Sequence, residues 1–394
     1  MFKFAGGFGR YSWRGLLLLI SIVAACSIIF LWRLASLTPG LSKTEKIEAG
    51  NSISIHKIAT NPVNAQHKVL QYLFQRFEPG SITLLRLPSV IFALIFCLCF
   101  YKLAVSWFGR AIGLFSTLIF ATLPLLVISA RQATPEVLFF APVVFIWLYI
   151  WLLKTQGSKR LPWLLTLFAA GLFVYTPGIF ILMAIGFVLT RTRIMTVVSE
   201  IPAWVSATGL VWLALNIGVI VAASLKSITV AKTIALIPQQ PSGALDSLRH
   251  IGWMTASLFV RTGADSPSIL GRLPVLSILL SAILVFGVYA MQGVARKKAM
   301  ALGLYIVFAI LAAGLNNNIS MLAMAVPALC VFIAAGLRYL YIEWRSIFPR
   351  NPVPKNFALA LIALVTASQL YFGLHYALVA WPHSPATRAA YVLK

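Results

Sequence analysis

The sequence predicts an all-α polytopic membrane protein with about 11 transmembrane helices. Three observations carry this expectation. Of 394 residues, 60% are hydrophobic and only 10% charged; the mean hydropathy is +0.92; and long apolar runs recur between basic loops. About 20 helical residues cross roughly 30 Å of hydrocarbon. The formal net charge of +24 does not indicate a nucleic-acid binder, because the cations sit between apolar runs and form no stripe with interleaved aromatics. Loops facing anionic lipid account for it.

Taken in order, the spans fall near 15–37, 84–107, 111–130, 134–153, 202–224, 268–291, 299–315, 319–341 and 356–380. The segment 161–190 is too long for one span, and "YTPG" (Tyr175 to Gly178) interrupts it. Its Pro and Gly predict two short helices meeting at a tight turn, which completes the count. The first run, "LLLLISIVAAC", continues through "SIIFLW", so it reads as an uncleaved signal anchor rather than a lipoprotein signal ending at Cys26. Cys97, Cys99 and Cys330 also fall in spans without metal-ligand spacing, and read as small apolar residues.

If the chain alternates across these spans, the loops "WFGR", "KTQGSKR", "TRTR" and "ARKK" share one side with the basic N-terminus. The positive-inside rule makes that side cytoplasmic. The setting expected is a bacterial inner membrane, with the N-terminus cytoplasmic and the C-terminus external. Glu45, Glu48, Glu78, Glu136, Asp246 and Asp265 then lie outside, leaving Glu200 and Glu343 inside. Because the rule counts only Lys and Arg, this acidic asymmetry is an independent signal.

Residues 1–394 read as a single membrane domain with two external segments too long for turns, 38–83 and 225–267; only "WPHSPATRAAYVLK" follows the last span, with no large soluble domain. The first segment is the candidate catalytic loop. Within it "HKVLQYLFQRF" places Val69, Leu70, Leu73, Phe74 and Phe77 at helical spacing. Such a helix lies flat in the interface, apolar face down. In the second segment Gln239, Gln240, Asp246, Arg249 and His250 are polar candidates without assignable roles.

In order along the chain stand "PGLSKTE", "NPVNAQHKVLQY", "LRLPSVIFAL", "WFGRAIGLFSTLIFATLPLLVISAR" and "ARQATPE". From about Thr38 to about Thr190 this series resembles the C-type (GT-C fold) polytopic membrane glycosyltransferases. The likeness is greatest to the branch that includes the protein O-mannosyltransferases and the bacterial aminoarabinose-to-lipid-A transferases. The resemblance implies a sugar donor on polyprenyl phosphate, transfer with inversion to a lipid or protein acceptor on the external face, and a divalent metal ion as cofactor. The family's first-loop acidic pair falls on Thr44 and Glu45, so its first acid is missing here. The second acidic position falls on Glu136. His67, five residues before Tyr72, occupies the place assigned to metal or phosphate contact. An Arg that precedes the late Pro-containing span in relatives has no match where Asn316, Asn317 and Asn318 stand.

The residues themselves fit this chemistry. Inverting transfer needs a carboxylate to take the acceptor's proton and cations or a metal to steady the leaving phosphate. Glu45 and Glu48, at i and i+3, share a face of any helix in this loop. The expected set is therefore Glu45, Glu48 and Glu136 as catalytic carboxylates, His67, Lys68, Tyr72 and Arg131 at the substrate, and Glu136 with His67 at a metal. Plainer readings stand beside these: a solvated face beside Lys43 and Lys46, a snorkelling His67, and an Arg131–Glu136 pair that ties two helices. The missing acid at Thr44 also leaves open a family member that has lost catalysis and binds lipid-linked sugar or supports a partner enzyme.

Overall fold

The structure, a computed structural model, describes residues 13–239, 243–263, 268–347 and 352–391. Gln240, Asp265 and most of the basic N-terminal stretch lie outside them. Every regular element among the described residues is helical.

The chain opens with α1 (Trp13–Leu31), shorter than the span expected at 15–37. It stops because Arg33 takes a left-handed φ of 52° and two buried arginines take over the backbone carbonyls that follow. Residues 38–83 then form α2 (Lys43–Asn51), α3 (Ile55–Thr60) and α4 (Ala65–Gln75), the short helices expected in the first external loop, before α5 (Ile82–Phe108). The span expected at 111–130 is broken: α6 (Arg110–Ala121) and α7 (Pro124–Ala130) meet at 61°, where Pro124 opens the second piece. A 3-10 turn, Pro135–Phe140, leads into α8 (Pro142–Lys154).

As "YTPG" predicts, α9 (Arg160–Phe173) and α10 (Ile179–Val198) are separate helices, with Gly178 at φ 76°, a value that suits glycine. Then come α11 (Ala203–Lys226), α12 (Ile228–Ile234), α13 (Ala244–Phe259), α14 (Ile278–Leu315) and α15 (Val326–Ile347). Last are α16 (Pro352–Leu374), a π-helical turn at His375–Ala380, α17 (Trp381–His383) and α18 (Pro385–Tyr391).

By length and apolarity, 7 of these helices can cross a membrane, or 8 if the bent α6–α7 pair is one span; Gly15–Leu31 and Arg160–Phe173 are shorter apolar helices. α14 departs from a single straight span. A straight helix of its 38 residues would run about 57 Å. Instead it leaves helical geometry at Ala295 (φ −145°, ψ 50°), and both of its ends meet α13. Val275, just ahead of it, donates to the Ser257 carbonyl, and Gly314, near its end, packs on Ile251. Six residues of α13 span only about 9 Å, so α14 folds back into two arms. These arms correspond to the spans expected at 268–291 and 299–315. The first begins at Ile278, ten residues later than expected, which leaves "SILGRLPVLS" in the second external segment.

The first arm packs closely on α15. A Cβ at Gly287 would collide with the Phe332 carbonyl, and one at Gly336 with the Ile283 carbonyl. Small residues at a contact between membrane helices let backbones approach this closely. One apolar cluster runs from Ile22 on α1 to Tyr391 on α18. The four cysteines are buried and unpaired.

Candidate active site

The site grows from "LSKTE". Ser42 caps α2: its Oγ accepts from the Glu45 N–H at 3.2 Å, and Glu45 Oε2 accepts from the Ser42 N–H at 2.9 Å. This reciprocal pair is a capping box, with the acid at the third helical position. Glu45 is fully buried. Its Oε1 accepts from Arg86 Nε at 3.1 Å and from the Ala133 N–H at 2.7 Å. Arg86, equally buried on α5, also donates to the carbonyls of Leu34, Thr38 and Gly40. A buried ion pair needs such additional bonds to offset its desolvation. Glu45, expected as a catalytic carboxylate, is therefore committed to structure: it ties α2, α5 and the turn after α7 together.

Glu48, one turn along, differs. It is half-buried, and its Oε2 has no hydrogen-bond partner among the described residues. Burial pushes its carboxyl above the ordinary value, and the charge of Lys68 pulls it part of the way back. Lys68, on α4, is buried and donates to the Asn61 carbonyl at 3.1 Å; burial lowers its ammonium and Glu48 raises it. The two charges face each other across the α2–α4 gap without a direct salt bridge. Gln71, also buried on α4, accepts from Ser52 and donates to the carbonyls of Leu85 and Ala133.

The amphipathic helix predicted here exists as α4, and its polar face is the one buried in protein. His67, Lys68 and Gln71 are 0%, 2% and 0% exposed, against 42% for Val69 and 48% for Leu73. The apolar residues turn outward, while the polar side points at the site.

The other expected residues divide. Glu136, in the turn before α8, lies near the hydroxyls of Ser268 (3.4 Å) and Ser320. It stands where the stretch ahead of α14 and the 3-10 turn Ile319–Met324 converge, within electrostatic reach of Glu45. It forms no salt bridge with Arg131, so that expected pairing is corrected. Arg131 donates to the carbonyls of Ile29, Phe30 and Arg33. It caps the end of α1, whose last carbonyls lack helical partners, and is not the phosphate ligand expected. His67 is fully buried, with Nε2 bonded to Ser89 Oγ at 2.9 Å; Ser89 in turn donates to the Gln132 carbonyl at 2.7 Å. Burial, and after it the Lys68 charge, push the imidazole down to about 3, so it is neutral and serves to join α4 to α5. Tyr72 is half-buried against Ile58, Ala65, Val174 and Tyr175, with Arg76 over its ring at 4.9 Å. His67 and Glu136 alone do not make a divalent-metal site. His67 has Nε2 on Ser89 and Nδ1 without a hydrogen-bond partner, and no group of three or more His, Cys, Asp or Glu able to hold an ion occurs among the described residues.

Several residues escaped the sequence expectation. Arg86 carried a legible signal, since a charge at the mouth of a span is costly and is paired or functional by default. Tyr391 carried none. Through α18 its ring comes to 5.6 Å from the Arg86 guanidinium, and its hydroxyl accepts from Gln132.

This helical scaffold has known counterparts. Residues 69–221 match the family model for dolichyl-phosphate-mannose-protein mannosyltransferase. The solved structure of ArnT from Cupriavidus metallidurans bound to undecaprenyl phosphate superposes over 95% of this chain and 78% of its own, at a TM-score of 0.61 and 13% identity. The chain has the GT-C fold. The Archaeoglobus fulgidus oligosaccharyltransferase AglB, in complex with an inhibitory peptide and a dolichol-phosphate, shares this GT-C scaffold at a TM-score of 0.56 and 13% identity. That match covers 95% of this chain but 57% of AglB. Among curated proteins none matches the sequence. Within the GT-C scaffold the gap between α2 and α4 sits in residues 38–83, where the resemblance placed the chemistry.

Proposed function

We propose that this chain is a membrane glycosyltransferase that moves a sugar from a polyprenyl-phosphate-linked donor to a lipid or protein acceptor on the external face, with inversion. The observation that carries the reading is the state of Glu48. It is a carboxylate raised by burial, with an oxygen left without a partner, in the segment where the resemblance places the catalytic acid. A base of raised pKa that keeps an open lone pair suits proton removal from an acceptor hydroxyl or amine.

In the step proposed, the acceptor heteroatom attacks the anomeric carbon from the side opposite the phosphate. The new bond to that carbon forms as the carbon–oxygen bond to phosphate breaks. Glu48 takes the acceptor proton, the bond electrons leave on polyprenyl phosphate, and Lys68 balances the charge that develops there. Glu136 holds the acceptor. The undecaprenyl phosphate in the ArnT structure and the dolichol-phosphate in AglB support a lipid phosphate on this scaffold. The domain plan proposed stays that of one membrane domain with 38–83 as catalytic loop.

The test is complementation of a cell lacking this chain, read as its envelope glycoconjugates. Glu48→Gln and Glu136→Gln should each cut the affected glycan by about 100-fold or more, the usual worth of a general base, at unchanged protein level. Wild-type glycan in both variants would remove the reading. A second reading rests on Thr44, which is exposed and whose hydroxyl lies 3.0 Å from that of Ser42, where the family's first acid would stand. On it, the chain binds lipid-linked sugar without transferring it. Unchanged glycans in Glu48→Gln and no gain in Thr44→Asp would favour that alternative.

A further inference from the structure

Away from the candidate site, a cavity of about 710 Å³ lies between the two arms of α14 and α15. Leu284, Val288, Ile306 and Phe332 make its walls apolar, and Gln292 and Arg296 stand at one end. The side is open, since Met300 on its rim is 59% exposed, and Gly303 leaves space where a side chain would stand. Arg296 belongs to "ARKK", the turn in which α14 folds back. Lys298, two residues on, lies over the Trp107 ring at 4.8 Å and within electrostatic reach of Lys154 and Arg193. The stretch from Gln292 to Gly303 holds no acid. The cavity is therefore an apolar slot, open to the bilayer, whose one polar end is cationic.

We propose that this slot is a binding site for an anionic phospholipid of the leaflet that faces the basic loops. An acyl chain lies along Leu284, Val288, Ile306 and Phe332, and the phosphate meets the Arg296 guanidinium, whose planar fork suits phosphate oxygens. Charge complementarity selects the occupant, because the anionic leaflet is the one that attracts basic segments. The donor's phosphate reacts at the opposite end of the molecule, on the external side with Glu48, so the slot is separate from the transfer site. A lipid bridging both arms and α15 holds the α14 turn closed.

The experiment is native mass spectrometry of the full chain in detergent, with phosphatidylglycerol or phosphatidylcholine added at equal concentration. The wild type should retain one phosphatidylglycerol with at least about ten-fold preference over phosphatidylcholine. Arg296→Gln should lose the preference, and Gly303→Leu, which fills the slot, should lose the bound lipid, both with unchanged elution and helicity. Equal retention of the two lipids by the wild type, or undiminished phosphatidylglycerol in both variants, would overturn the proposal. So would one-for-one displacement by undecaprenyl phosphate that Gly303→Leu abolishes, since the slot would then belong to the donor's tail.

Discussion

Two carboxylates three residues apart on one short helix have opposite fates. Glu45 is spent on Arg86, Ser42 and Ala133, whereas Glu48 keeps an oxygen free. Truncating Glu45 to Ala strands a buried guanidinium, a loss of about 3–5 kcal/mol. Glu45→Ala should therefore accumulate poorly in membranes, while Glu45→Gln, which keeps one acceptor oxygen for either the Ser42 or the Ala133 N–H, should accumulate better; immunoblotting of membranes checks both. Glu48→Gln should do the reverse of Glu45→Ala. A raised folded pKa means that the ionised form is disfavoured by folding, so the stability Glu48 contributes is complete below its unfolded pKa and is lost as pH rises. At neutral pH the neutral Gln should raise the melting temperature in detergent, and a lowered one would count against a buried, poorly compensated carboxylate. His67 runs the other way. Its folded pKa of about 3 lies below its unfolded value, so its contribution is present above about pH 6.5 and is lost as pH falls toward the folded pKa. The loss at pH 5 is about 2 kcal/mol. A melting series from pH 7.5 to 4.5 should show a slope that His67→Gln flattens.

Among the elements, the apolar spans were legible because period and length are properties of local sequence. The breaks were less so. Pro124 signals the α6–α7 bend, but its angle depends on what packs around it. The α14 turn at Ala295 has no Pro or Gly at the break, and its strongest sequence mark is the cluster "ARKK". The capping box was also available in "SKTE": a Ser three residues before a Glu is a helix-start signature, and local sequence alone marks Glu45 as a capping carboxylate. By contrast, burial of the polar face of α4 follows from long-range contacts with α2 and α5, which no window of sequence contains. The α14–α15 contact gives the clearest element-level test. Gly287→Leu should prevent assembly, because backbone cannot yield as a flexible side chain can, whereas Gly186→Leu, with open space around it, should be tolerated. Size-exclusion profiles of the two variants in detergent report the difference, and normal elution of Gly287→Leu would contradict the packing.

Across the whole molecule, the helices bring Glu48 on α2 and Lys68 on α4 within electrostatic reach of each other. The buried arginines Arg86 and Arg131 fasten the end of α1 and the loop that follows, and α18 returns to cover Arg86 with Tyr391. Through its acidic asymmetry and its order of motifs, the sequence pointed to the segment 38–83 that the proposed function uses. It did not show which of those residues face substrate, because a capping carboxylate and a catalytic one have the same side chain and differ only in their partners. The proposed function stands or falls on whether the α2–α4 gap receives a polyprenyl phosphate. Equilibrium binding of undecaprenyl phosphate to the purified full chain decides this. Binding should be saturable, weakened by about ten-fold or more in Lys68→Gln, the loss expected for one charged hydrogen bond, and unchanged in Arg249→Gln. Absence of binding, or equal binding by the Lys68→Gln variant, would contradict a phosphate in the gap.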